Sequence, residues 1–71
     1  DQAVTDLLRR AIHIEPAVEV LYRRLMASLR DAGERAEALA VYSRCRDAII
    51  AAFGVPPSPE TEAIFRELSG R

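Results

Sequence analysis

Two apolar runs flank Asp31-Ala32-Gly33-Glu34, and their three- and four-residue spacing commits the chain to a helical hairpin from Pro16 to Phe53. Before the break, Val18, Leu21, Tyr22, Leu25, Met26 and Leu29 share one helix face. After it, Ala38, Val41, Tyr42, Cys45, Ile49, Ala52 and Phe53 trace a second face, broad enough to touch two neighbours. That breadth predicts that the third helix lies in the middle of the assembly. Gly33 suits the left-handed residue that ends a helix, while Glu34 and Glu37 set negative charge near the positive end of the next one. The hinge is therefore expected to be tight and the two helices antiparallel.

Upstream, Val4, Leu7, Leu8, Ala11 and Ile14 give one more helix face, closed by Pro16 because the residue before a proline resists helical geometry. The predicted helices cover roughly residues 2–14, 17–31 and 35–53. Gly54-Val55-Pro56-Pro57-Ser58-Pro59 must end the third, since a glycine stop is followed by residues that cannot continue a helix. Ser58 then fits an N-cap, Pro59 the first helical position, and Glu60 and Glu62 the first turn of a short fourth helix. Ile64, Phe65 and Leu68 supply its face, and Ser69-Gly70-Arg71 reads as a frayed end. No stretch alternates with period two, so the fold class is all-α, about four helices in antiparallel hairpins.

Seventy-one residues make a single small domain. The 49% hydrophobic and 30% charged composition is that of a globular chain and argues against disorder. Ten arginines against eleven acids leave a net charge of -1, which supplies no excess to draw the chain onto phosphate backbones. Direct nucleic-acid binding is not expected. No apolar run reaches membrane-spanning length, no signal-like start is present, and one cysteine makes no intrachain disulfide, so a reducing cytoplasm is the default expectation. Because the first residues already lie inside a helical pattern without a methionine, the chain is read as part of a longer one.

Catalytic machinery is not visible. His13 is the only histidine and has no second ligand at metal-binding spacing; Cys45 sits on an apolar face, where a thiol behaves as a small hydrophobe. Ser28, Ser43, Ser58 and Ser69 lack a Gly-x-Ser-x-Gly setting, and no glycine-rich loop is present to hold a phosphate. No metal, cofactor or catalytic residue is assigned. Tyr22, Tyr42, Phe53 and Phe65 fall at helical spacing and are expected in the core rather than on a base-stacking platform.

Tyr22, Leu25 and Leu29, Gly33 at the turn, and Ala38, Tyr42 and Cys45 beyond it resemble the small-and-large pattern of a tetratricopeptide repeat. Physically, Ala38 lets the two helices approach while Leu25 and Tyr42 fill the space beside the contact. The ordered set Arg9-Arg10-Ala11, Arg23-Arg24-Leu25-Met26, Glu37-Ala38-Leu39 and Gly54 to Thr61 is more specific. It resembles the bacterial transcriptional activator domain, a tetratricopeptide-like module of antibiotic-regulatory-type activators. The likeness spans nearly the whole chain and implies an interaction or oligomerisation module of a transcriptional regulator, here without its winged-helix DNA-binding domain. A homodimer is one implied assembly.

If the resemblance holds, Arg23, Ala27 and Arg30 lie on the flank of the second helix that faces a partner groove, and the two arginines would grip an acidic segment. On that view, replacing both by alanine weakens partner binding and leaves the melt nearly unchanged. The plainer expectation pairs Arg23 with Glu19 and leaves Arg30 solvated. A competing function is a generic tetratricopeptide scaffold that captures a peptide outside transcription; the chain lacks the lysine and asparagine that a carboxylate clamp uses.

Overall fold

The computed structural model describes residues 1–70, and the expectation for Arg71 lies outside them. Four helices follow one another: α1 (Gln2–Ile14), α2 (Glu19–Asp31), α3 (Arg35–Phe53) and α4 (Pro59–Leu68). No strand occurs among the described residues. The chain forms an all-α, tetratricopeptide-like arrangement of antiparallel hairpins. Its extents of 31 × 30 × 16 Å make a thin slab in which every helix keeps an outward side.

Each helix boundary has a local cause. Asp1 caps α1, its carboxylate accepting from the Val4 amide at 3.0 Å. Helix α2 starts two residues later than its apolar pattern suggests because Val18 is held extended (φ -95°, ψ 96°) by the turn after Pro16. The Tyr22 hydroxyl fixes that turn by donating to the Pro16 carbonyl at 2.7 Å. At the hinge, Glu34 N–H reaches Leu29 C=O at 2.8 Å and Gly33 N–H reaches Arg30 C=O at 3.0 Å, closing the end of α2 with Gly33 at φ 79°. Gly54, at φ 69°, ends α3 in the same left-handed conformation. Ser69 and Gly70 follow α4 as a turn. Ser69 Oγ donates to the carbonyls of Phe65 and Arg66 at 3.0 and 3.2 Å.

Helix α2, not α3, is the middle one: α1, α3 and α4 all pack on it, whereas α3 packs on α2 and α4. The cause is a polar flank on α2 that apolar spacing does not reveal, described below. The core is Tyr22, Leu25, Met26 and Leu29 of α2 against Ala38, Val41, Tyr42, Cys45 and Ile49 of α3, with Leu8 and Ile12 from α1 and Leu68 from α4. Ala38 and Leu25 are both wholly buried, as the close approach of α2 and α3 requires.

Besides Val18, 38% exposed at the N-cap of α2, two apolar groups expected inside are outside. Phe53 is 62% exposed and Ala52 is exposed, because α3 is six residues longer than α2 and its last turns overhang by about 9 Å. In α1 the face turned to α2 is Thr5, Leu8 and Ile12, so Val4, Leu7 and Ile14 point to solvent. The helix carries two apolar faces, and only one is used within the chain.

Candidate interaction surface

The flank of α2 that carries Arg23, Ala27 and Arg30 is the seat of α4. Glu19, at the start of α2, turns its carboxylate to the first turn of α4, where one oxygen, Oε2, accepts from Ser58 N–H at 2.8 Å, from Ser58 Oγ at 2.7 Å and from Thr61 Oγ1. Arg23 lies one turn along, 3.5 Å from that oxygen, and its Nη1 also reaches the hydroxyls of Ser58 and Thr61 at 3.2 Å each. Ser58 therefore occupies the N-cap position without its hydroxyl accepting from a backbone N–H of its own helix. Glu19 of another helix supplies the negative charge there instead, where it also complements the dipole of α4. Burial works against the ionised Glu19, but the hydrogen bonds from Thr61 and Ser58, with Arg23 alongside, prevail and hold its pKa below the ordinary carboxylate value.

The far end of α4 is tied in the same way. Arg30 reaches Glu67 at 3.0 Å as well as its neighbour Asp31 at 3.2 Å, and Arg35 Nε donates to the Leu68 carbonyl. Between the ends, the Phe65 ring stacks on Tyr42 with centroids 4.1 Å apart, and the Tyr42 hydroxyl donates to Glu62 at 2.5 Å. Arg23 thus makes its expected pair with Glu19 and further contacts with α4, while Arg30 is engaged rather than merely solvated. Ala27 is half-buried between them. The network also contains Ser58 and Thr61, which single-residue reasoning does not mark. Thr61 is wholly buried, and its spacing to Ile64, Phe65 and Leu68 is the signal that would have placed it on the inner face.

A second surface lies on α1. Val4, Leu7 and Ile14 are 46%, 59% and 73% exposed, aligned with half-buried Ala11. Helices α1 and α3 both rest on α2 without close backbone approach, and the side chains of Arg9 and Glu37 join them in an ion pair. Between them opens a cavity of about 450 Å³ lined by Arg9, Ile12, His13, Pro16 and Arg44. A second hollow of about 350 Å³ runs along α1 past Arg9, Arg10, His13 and Ile14. His13 is exposed at the rim of both.

Cys45 is wholly buried, and burial pushes its thiol up to about 12, so the thiolate is not available as a nucleophile at neutral pH. No group of three or more His, Cys, Asp and Glu side chains among the described residues is arranged to hold a metal ion. No described helix is long and apolar enough to cross a membrane.

With the hairpin, the glycine stops and the proline-led α4 in place, residues 1–69 match the bacterial transcriptional activator domain. The chain belongs to that family. Comparison with curated proteins and with solved structures returned no match. Membership places this activator domain in transcription regulation, a regulatory rather than an enzymatic family, in agreement with its all-helical architecture. The segment Gly54 to Thr61 carries Ser58 and Thr61 to Glu19.

Proposed function

We propose that this activator domain is a non-enzymatic protein–protein interaction module of a bacterial transcriptional regulator, working in the cytoplasm without touching nucleic acid itself. The observation that carries the reading is the unused apolar face of α1. Three large aliphatic side chains stand in water on α1, about a third of a turn round from the face packed on α2, and an exposed apolar row of that kind marks an interaction surface. The net charge of -1 supports a protein partner over a phosphate backbone. Arg23, Ala27 and Arg30 serve the module by seating α4.

The test is transcription from a reporter gene driven by the regulator carrying Leu7→Gln, with the thermal melt of the domain as a control of folding. Activation is expected to fall at least tenfold while the melt stays unchanged. Full activation by the variant would overturn the reading. Light scattering of the domain across a hundredfold dilution identifies the partner: a mass that doubles at high concentration, and does so only with Leu7 intact, means a second copy.

A further inference from the structure

We propose that the cavity between α1 and α3 binds a small aliphatic carboxylate. This site is separate from the outer face of α1. Its volume of about 450 Å³ is that of a small-molecule pocket, and its lining divides by chemistry. Ile12 and Pro16 give it apolar wall, and the Pro16 side is held in place by the Tyr22 hydroxyl, which donates to the Pro16 carbonyl at 2.7 Å. Arg9 and His13 from α1 and Arg44 from α3 give it nitrogen donors. No carboxylate lines it.

Charge sets the class of ligand. Glu37 occupies one amino group of Arg9 and leaves the rest of that guanidinium without a protein acceptor. Asp6, one turn before Arg9, accepts from the Gln2 side chain at 2.9 Å. Glu15 and Asp47, the acids nearest in sequence to Pro16 and Arg44, neither line the cavity nor pair with a cation among the described residues. Arg44 is therefore in no ion pair among the described residues, and one positive charge stands beyond the Arg9–Glu37 pair. A carboxylate brings one negative charge and two oxygens, which an arginine fork meets with two parallel N–H donors. Arg44 is the anchor, the free donors of Arg9 close from the other helix, and an aliphatic body covers Ile12 and Pro16. A phosphate dianion exceeds the charge on offer, and a cation meets only its like. Because α1 and α3 make no close backbone approach, an occupant held by both arginines ties one helix to the other.

The experiment titrates the isotope-labelled 71-residue chain with sodium hexanoate, hexylammonium chloride and sodium phosphate at constant ionic strength, following its amide resonances by NMR. Hexanoate is expected to give saturable shifts confined to the last turns of α1, the turn at Pro16 and the middle of α3. It should bind at least tenfold more tightly than either other probe. Arg44→Gln, at an exposed position, should weaken hexanoate at least tenfold and leave the remaining resonances in place, which shows that the variant folds. Equal binding of hexylammonium would overturn the proposal, since the hollow would then select an apolar chain without regard to charge. So would phosphate binding as tightly as hexanoate, which means an ion held without its body, and so would hexanoate affinity unchanged in Arg44→Gln or the absence of saturable shifts. None of these outcomes bears on Leu7, so the interaction function stands or falls by its own reporter test.

Discussion

Glu19→Gln keeps the shape of the side chain and removes the charge on which α4 is hung. Three hydrogen bonds end on one carboxylate oxygen, from Ser58 N–H, Ser58 Oγ and Thr61 Oγ1, with Arg23 3.5 Å away. A hydrogen bond to a charged group contributes about 1.5–3 kcal/mol and a neutral one about 0.5–1.5. The bonds share one acceptor and do not add, so neutralising it is expected to cost about 2 kcal/mol in all. The side chains of Glu19 and Arg23 are 19% and 27% exposed, which keeps solvent from screening the group fully. For a chain of this length total stability is of order 4–10 kcal/mol, and 2 kcal/mol lowers the melting temperature by about 8–16 °C.

The assay is urea unfolding followed by circular dichroism at pH 7 and again under acid conditions, with amide exchange to locate the loss. The Glu19 pKa is lowered in the folded chain, so its contribution is complete above the unfolded value of 4.5 and disappears as pH falls through the folded value. The difference between wild type and Glu19→Gln should therefore be full at pH 7 and close in acid, and exchange should quicken first in α4. A difference under about 0.5 kcal/mol at pH 7, within the range of ordinary surface substitutions, would refute the reasoning. So would a difference that persists unchanged after Glu19 is protonated.

Gly33→Ala is expected to destabilise by about 1–2 kcal/mol in the same urea assay, because φ is 79° there; no atom lies within 4 Å of the added Cβ, so conformation alone accounts for the effect. Leu25→Ala should cost about 2–5 kcal/mol, while Phe53→Ser should stay within about 0.5 kcal/mol despite removing a larger apolar side chain, the first being wholly buried and the second 62% exposed. Alkaline unfolding should follow three buried acids, Tyr22, Tyr42 and Cys45, burial raising Tyr22 above its ordinary value. Burial, helped by Glu62, raises Tyr42 to about 12 from 10.0, and burial raises Cys45 to about 12 from 9.0. Stability should be complete below pH 9 and decline toward pH 12 as the unfolded chain releases protons that the folded one retains; Cys45→Ala should delay the onset by about one pH unit.

The sequence by itself determined the helices, the hinge at Gly33, the stop at Gly54 and the proline-led start of α4. Each is a local matter: periodic apolar spacing, a residue tolerant of positive φ, and rings that cannot continue a helix. The family resemblance was legible from short ordered motifs, three of them within α1, α2 and α3 and one, Gly54 to Thr61, at the turn into α4. What only the tertiary structure decided is which faces meet. Arg23 and Arg30 have the look of a solvated flank, yet they join Ser58, Thr61 and Glu67 across more than thirty residues of chain to make α2 the central helix. The sequence shows one apolar face on α1, through Val4, Leu7, Leu8, Ala11 and Ile14, but a pattern along one helix does not say which part of it is turned inward. Packing on α2 took Leu8 and Ile12 and left Leu7 and Ile14 in water. Spacing encodes a face, whereas burial depends on what lies opposite it, and that is settled only when the helices are assembled.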